Sequence, residues 1–320
     1  MQIDDHKRVL ILVAFLAVAF TIRAEDRNPN TAWMSAAKIG VFIHYLPGAG
    51  TFRDVETFDV DGLVQQLVAL RVRYFCITLG QNSGYMCSPN AMYEQLAGYA
   101  PSSRCSSRDL PLELARALAP HKIRLMLYLP CQTPNSDLQA ARAFGIDDGN
   151  PKPHDRKVNA AFARMWARVI ETWSVRYGDL VSGWWFDGGY AGCGINDEIC
   201  AIYAEAVKKG NPQAIVAFNP GISLKRAYRA DDYTAGELNE PLTQRCADRF
   251  LDNAQWHVLT YIGSTWGRKN TRYTDQQWID WVQAVTAKGG AVTFDMGIHP
   301  NGLLIDAQVK QLQAISQALH

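Results

Sequence analysis

The chain has 320 residues, of which 48% are hydrophobic and 20% are charged, and it carries a net charge of +1. A chain of this length and composition can bury a large core without help from metals or disulfides. The near-neutral charge excludes the basic stripe that is typical of nucleic-acid-binding proteins, so we expect no nucleic-acid partner.

The N-terminus has the pattern of a secretory signal peptide. A polar start with Lys7 and Arg8 precedes an apolar run over residues 9–20, and Ala24 lies where cleavage could follow. The run is shorter than the ~20 apolar residues that span a bilayer comfortably. We therefore expect residues 1–24 to be a signal peptide, with an uncleaved anchor as the alternative. Residues 25–320 should form a secreted or periplasmic domain with no stable membrane span after signal removal.

Short apolar runs then alternate with amphipathic stretches, as in parallel strands joined by helical crossovers. The strand candidates are residues 39–44, 74–78, 123–129, 181–187, 215–219, a weak strand ending at Glu237, 258–263 and 291–297. The helix candidates are residues 60–70, 110–120, 160–177, 197–209, 275–288 and 306–319. Eight strands predict an α/β fold, a single-domain (β/α)8 TIM-type barrel. A doubly wound sheet is the alternative, but no Gly-x-Gly-x-x-Gly turn follows the first strand.

The seven cysteines are an odd number, so at least one thiol should stay free in an oxidising compartment. Cys76 lies inside an apolar run and is the expected free thiol. Cys87 with Cys105, and Cys193 with Cys200, flank loops and are plausible disulfide pairs, although sequence cannot establish the pairing. No zinc-binding spacing is present, and we expect no metal and no cofactor.

Chemically capable side chains follow several of the predicted strands. The strand ends or the loops after them carry His44, Tyr45, Gln81, Asn82, Tyr85, Asp187, Glu237, Trp266 and Asp295. Asp187 is the most informative of these, because it ends an aromatic strand and two glycines follow it. That pattern fits a loop that a ligand can approach closely. In a (β/α)8 barrel, the C-terminal ends of the strands form the active site, so these residues should share one site.

The residue types at these strand ends suit a sugar ligand. Aromatic rings stack on the apolar face of a sugar, and its hydroxyl groups need donors and acceptors. Glycoside hydrolysis uses one carboxylate at the anomeric carbon and a second carboxyl group that protonates the leaving oxygen. The sequence therefore favours a glycosidase.

From about Lys38 to Leu304, the chain resembles glycoside hydrolase family 29, the α-L-fucosidases, in the order of its motifs. Residues 38–45, Lys-Ile-Gly-Val-Phe-Ile-His-Tyr, are similar to the family's Lys-Phe-Gly-x-Phe-Ile-His-Trp. Residues 185–188 resemble its Trp-Phe-Asp-Gly nucleophile strand, and residues 264–267 resemble its Ser-Trp-Gly-Tyr turn. Residues 288–302 resemble its glycine-containing closing motif.

The resemblance implies a retaining exo-glycosidase that acts on a terminal sugar of a glycan, with Asp187 as the nucleophile. Glu237 is the favoured general acid/base, and Glu56 and Asp54 are the alternatives. The expected stacking surfaces are Tyr45, Tyr85, Trp185 and Trp266. The expected hydrogen-bonding residues are His44, Gln81, Asn82 and Arg268, with Asp295 as a further acid near the rim.

The chain also departs from the family pattern. Gln81 and Asn82 stand where the family has two sugar-binding histidines, so the substrate need not be fucose. Asp295 replaces a family Asn and can equally have a structural role. We also expect this chain to lack the family's C-terminal β-sandwich. A catalytically inactive carbohydrate-binding protein on the same barrel is the alternative function, and a second carboxyl group within about 5–5.5 Å of Asp187 would favour retaining hydrolysis instead.

Overall fold

A computed structural model describes residues 27–46, 52–132, 134–146 and 148–319. The predicted signal peptide, residues 1–24, lies outside the described residues. Among the described residues, no helix is both long enough and apolar enough to cross a membrane.

The fold is built on a parallel sheet of seven strands. These are β1 (Ile39–Ile43), β2 (Tyr74–Thr78), β3 (Arg124–Pro130), β4 (Val181–Asp187), β5 (Ile215–Phe218), β8 (His257–Tyr261) and β9 (Ala291–Asp295). Their order is β5-β4-β3-β2-β1-β9-β8, so the order never reverses as it does in a doubly wound sheet. The strands β6 (Phe250–Leu251) and β7 (Ala254–Gln255) form a separate antiparallel pair.

The predicted strand ending at Glu237 is not a strand of this sheet, which therefore has seven strands and not eight. Residues 231–238, here called the bridging segment, form two isolated bridges, between Tyr233 and Gln255 in β7 and between Glu237 and Leu259 in β8. On the other side, the carboxylate of Asp231 accepts from the backbone N–H of Phe218 in β5 at 2.8 Å. An acidic side chain thus replaces the backbone acceptor that a regular strand would offer.

Ten α-helices lie within the described residues. They are α1 (Ala32–Ala37), α2 (Arg53–Glu56), α3 (Val60–Ala69), α4 (Ala91–Ala97), α5 (Leu110–Leu118), α6 (Leu138–Ala143), α7 (Ala160–Tyr177), α8 (Asp197–Gly210), α9 (Asp275–Thr286) and α10 (Asp306–Ala318). The predicted helices correspond to α3, α5, α7, α8, α9 and α10, and the four short helices were not predicted. Side-chain caps start several long helices; for example, Thr274 and Gln277 form a capping box at α9.

Two buried clusters lie on the two faces of the sheet. The larger packs between the sheet and the helices, and the smaller lies on the concave face. Phe42, Trp185 and Ala217 belong to the smaller cluster. Since side chains alternate along a strand, the residue two positions further on points to the same side and meets the end of the sheet. The side chains at the ends of neighbouring strands therefore point to the same side of the sheet and lie close together.

All seven cysteines are free, so the expected pairs Cys87–Cys105 and Cys193–Cys200 are wrong in this structure. Two of these thiols donate to backbone carbonyl groups instead. The Cys87 thiol donates to the carbonyl oxygen of Thr78, and the Cys105 thiol donates to that of Asn90. The expectation of a free, buried Cys76 is confirmed.

Candidate active site

A pocket of about 180 Å³ opens at the C-terminal ends of the strands. It is lined by Phe42, His44, Gln81, Tyr128, Trp185, Asp187, Tyr190, Glu237, Leu259 and Trp266. Residues of β1, β3, β4 and β8 therefore meet around one space, which means that the seven-stranded sheet is strongly curled. Six residues predicted from the sequence meet here, namely His44, Gln81, Trp185, Asp187, Glu237 and Trp266.

The carboxylates of Asp187 and Glu237 contact the same amide group. The Nδ2 atom of Asn219 lies 2.9 Å from Oδ1 of Asp187 and 2.5 Å from Oε2 of Glu237. These two contacts limit the distance between the two carboxylate oxygens to at most about 5.4 Å. The pocket therefore holds two acids at close range, one at the end of β4 and one in the bridging segment.

The second oxygen of Asp187 is held by a tyrosine of the neighbouring strand. The hydroxyl of Tyr128 in β3 donates to Oδ2 of Asp187 at 2.6 Å, and Nε2 of Gln81 donates to the same hydroxyl at 2.6 Å. Burial, and then the charge of Asp187, raises the pKa of Tyr128 well above its usual range. Tyr128 thus stays protonated and donates its hydroxyl hydrogen to Asp187.

Glu237 is in a different environment, which favours its protonated form. Burial raises the pKa of Glu237, and the negative charge of Asp187 adds to this effect. The Asn219 hydrogen bond and His44 act in the opposite direction but do not outweigh these causes. A carboxyl group that keeps its proton beside an ionised carboxylate can act as a proton donor.

His44 is oriented by a buried acid behind the pocket. Its Nδ1 lies 2.9 Å from Oδ1 of Asp295, whose Oδ2 accepts from the N–H of Gly267 at 2.6 Å. Burial lowers the pKa of His44, but the charge and hydrogen bond of Asp295 outweigh it, so the net shift is upward. Asp295 thus positions His44 and the loop after β8, and it does not line the pocket.

Aromatic rings form much of the pocket wall. Trp185 stacks on Tyr128 with ring centroids 5.3 Å apart, and its Nε1 donates to the carbonyl oxygen of Ala235 at 3.0 Å. Trp266 meets His44 edge-on at 5.6 Å. Tyr190 stands at the mouth with 39% of its surface exposed. A sugar ring entering this pocket would meet aromatic surfaces beside the two carboxylates.

The α-L-fucosidase family model matches residues 49–320. This chain belongs to that family. A search of curated protein sequences found no match. Membership of the α-L-fucosidase family agrees with the motif resemblance described above.

Solved structures share the fold with this member of the α-L-fucosidase family. An endo-fucoidan hydrolase of glycoside hydrolase family 107 matches with a TM-score of 0.72 and 18% identity, over 92% of this chain and 54% of that one. A bacterial fucosidase with an inhibitor gives 0.65 and 16%, over 91% and 73%. The α-L-fucosidase AlfC of Lactobacillus casei, in complex with α-L-fucose product, gives 0.61 and 16%, over 91% and 98%. The chain thus spans about half the length of the first of these structures.

Besides Asp295, four predicted sugar contacts do not line the pocket. Tyr45 is buried in the core, with its ring 5.1 Å from that of Phe58. Tyr85 lies under the guanidinium of Arg104 at 4.4 Å. The other two are Asn82, whose Nδ2 lies 3.5 Å from Nδ1 of His154, and Arg268, whose side chain is exposed to solvent.

Strand alternation accounts for the position of Tyr45, and a turn after β2 accounts for those of Asn82 and Tyr85. Tyr45 directly follows His44, so its side chain takes the opposite face of the sheet. Asn82 and Tyr85 lie in a turn that folds back towards Arg104 and not over the pocket. The alternative acids Asp54 and Glu56 lie on α2 and do not line the pocket either.

The sequence analysis missed Phe42, Tyr128, Tyr190, Asn219 and Leu259. Asn219 ends the predicted fifth strand, so its position at the C-terminal edge was an available signal. Tyr128 lies inside an apolar run and looked like a core residue. Its polar role appears only when β3 is placed beside β4.

Within the described residues, no group of three or more His, Cys, Asp or Glu side chains could hold a metal ion. His44 is the one histidine among the residues that line the pocket.

Proposed function

We propose that this protein is a secreted, retaining exo-glycoside hydrolase that removes a terminal sugar from a glycan. The observation that carries this proposal is the pair of carboxylates bridged by Asn219. The separation of these two oxygens, at most about 5.4 Å, does not exceed the carboxyl spacing of about 5–5.5 Å that double displacement requires. Inverting enzymes need about 6.5–9.5 Å, to leave room for a water molecule.

The two steps follow from the states of the two acids. Asp187 attacks the anomeric carbon while Glu237 gives its proton to the glycosidic oxygen, so the carbon–oxygen bond to the leaving group breaks and a covalent ester forms. A water molecule then attacks the anomeric carbon and gives a proton to Glu237, and Asp187 leaves as a carboxylate. The outcome is retention of the anomeric configuration.

α-L-Fucose is the first sugar to test because of the family, and the pocket argues for testing others. Gln81 lines the pocket where the family pattern has histidine, so the donors and acceptors offered to the sugar hydroxyls differ. The pocket is small, about 180 Å³, which supports an exo-acting enzyme because a small pocket accommodates a chain end more easily than the middle of a polymer.

The test is hydrolysis of a panel of aryl glycosides that includes α-L-fucoside, α-L-galactoside and β-D-galactoside. Asp187→Asn should abolish release from the glycoside that the native protein cleaves, while binding and the melting temperature are kept. Glu237→Gln should lower kcat/KM about 100-fold or more for glycosides with poor leaving groups. NMR of the first product should show the retained anomer.

Asp54→Asn and Glu56→Gln are the matched controls, since these acids lie on α2 away from the pocket. They should cleave like the native protein. Full turnover in Asp187→Asn, or an inverted first product, would contradict the proposal. Sugar binding without release from any glycoside would instead favour the inactive carbohydrate-binding alternative.

A further inference from the structure

Asn219 lies directly after β5 and between the two acids of the site. Its side chain is fully buried, and its Nδ2 donates to both Asp187 and Glu237. An amide nitrogen carries two hydrogen atoms, so it can satisfy both carboxylates at once. This residue is therefore the shortest physical connection between the two reacting side chains.

The orientation of the amide is set by the backbone. The Oδ1 atom of Asn219 accepts from the N–H of Gly221 at 3.1 Å, so the NH2 end must face the carboxylates. The backbone N–H of Asn219 donates to the carbonyl oxygen of Phe186 at 2.7 Å, which ties the residue to β4 beside Asp187. The amide is thus preorganised and does not depend on the substrate.

The two carboxylates do not depend equally on Asn219. Asp187 has a second donor, the hydroxyl of Tyr128. Within the part of the chain that the structure describes, the side chain of Glu237 accepts from no donor other than Asn219. The charged or titratable groups that face Glu237 are Asp187, His44 and Tyr190. Loss of the amide should therefore affect Glu237 more than Asp187.

We propose that Asn219 is a positioning residue that couples the charge of Asp187 to the protonation of Glu237 through the two steps of the reaction. While Asp187 is ionised, the amide is shared between the two acids and Glu237 holds its proton. When Asp187 becomes a neutral ester, its pull on the amide weakens, and the amide can stabilise Glu237 as a carboxylate. Glu237 is then ready to take the proton of water. This inference rests on the proposed function, because it requires both acids to react.

The test is the pH profile of kcat/KM for Asn219→Ala. The hydrogen bond from Asn219 lowers the pKa of Glu237, so its removal should move the alkaline limb to higher pH. We also expect a fall of about 10- to 100-fold in kcat/KM, the range for a hydrogen bond to a charged group. Hydrolysis of the covalent intermediate should slow as well, which a dinitrophenyl glycoside would reveal as a pre-steady-state burst.

Tyr128→Phe is the matched control. It removes a donor from Asp187 only, so it should lower kcat/KM but leave the alkaline limb where it is in the native protein. Asn219→Leu is the second variant, because it keeps nearly the same side-chain volume and removes both donors without adding an acid, even if the alanine variant folds poorly. It should be at least as impaired as Asn219→Ala.

The inference is wrong if a folded Asn219 variant has the same alkaline limb and the same kcat/KM as the native protein. That result is distinguishable from failure of the proposed function. If Asp187→Asn is inactive while Asn219→Ala behaves like the native protein, the catalytic pair stands and only the coupling role is wrong. If Asp187→Asn is active, the proposed function itself is wrong.

Discussion

At the scale of single residues, the state of Glu237 predicts the pH dependence of the reaction. Burial first, and then Asp187, raises the pKa of Glu237 above the ordinary value of 4.5. The first step needs the protonated acid, so a raised pKa extends activity to higher pH than an exposed Glu would allow. The alkaline limb of kcat/KM should therefore report the loss of this proton.

The measurement is the pH profile of kcat/KM for Glu237→Ala. The substrate is a dinitrophenyl glycoside, and azide is added as an alternative nucleophile. The alkaline limb should disappear, and the product should be a glycosyl azide of retained configuration. His44→Gln is the control, because His44 also has a raised pKa and also lines the pocket. If the limb disappears in His44→Gln and persists in Glu237→Ala, the assignment of the acid is wrong.

At the scale of elements, the sequence predicted most strands to within a few residues, because a buried strand needs an apolar run and ends where that run ends. Asp187 and His44 were found because each is the last inward-facing residue of its strand. The bridging segment was predicted as a strand and is irregular. Its acidic side chains and Gly236 compete with regular pairing, and only the neighbouring strands β5 and β8 reveal that competition.

Gly236 sets the geometry of the bridging segment, and its replacement should be costly. Its φ is +64°, and an added Cβ would lie 2.0 Å from the carbonyl oxygen of His257. Gly236→Ala should therefore destabilise the fold by about 2 kcal/mol or more and displace the adjacent Glu237. Thermal unfolding and hydrolysis assays would measure both effects.

Gly192→Ala is the matched control, because nothing lies within 4 Å of an added Cβ there. It should leave both the melting temperature and the activity close to native values. A Gly236→Ala variant of native stability would show that the segment can move away from β8 without loss.

At the scale of the whole molecule, the fold holds together without covalent links. All seven cysteines are free, and six of them are buried. Burial raises the pKa of the Cys76, Cys87 and Cys200 thiols, which leaves little thiolate to react. A reducing agent should leave the melting temperature unchanged, and the intact mass should be that of seven thiols. A mass lower by two hydrogen atoms per bridge would contradict this.

The sequence pointed to an eight-stranded barrel, whereas the parallel sheet of the described residues has seven strands, with the irregular bridging segment between β5 and β8. An apolar run does not show whether its backbone pairs regularly with the strands on either side, because pairing depends on both neighbouring strands. The same limit applies to the pocket. Strand ends identified the acids, but Tyr128 and Asn219 became visible only through contacts between strands.

The bridging segment, which carries Glu237, is joined to β7 and β8 by isolated bridges and not by a regular strand ladder. Most of the tryptophan-rich core lies elsewhere and would not sense a brief detachment of these eight residues. Local opening costs less free energy than global unfolding. Heat should thus reduce turnover reversibly while the rest of the molecule stays intact, so the temperature at which activity falls, and not the melting temperature, would set the working range of the protein.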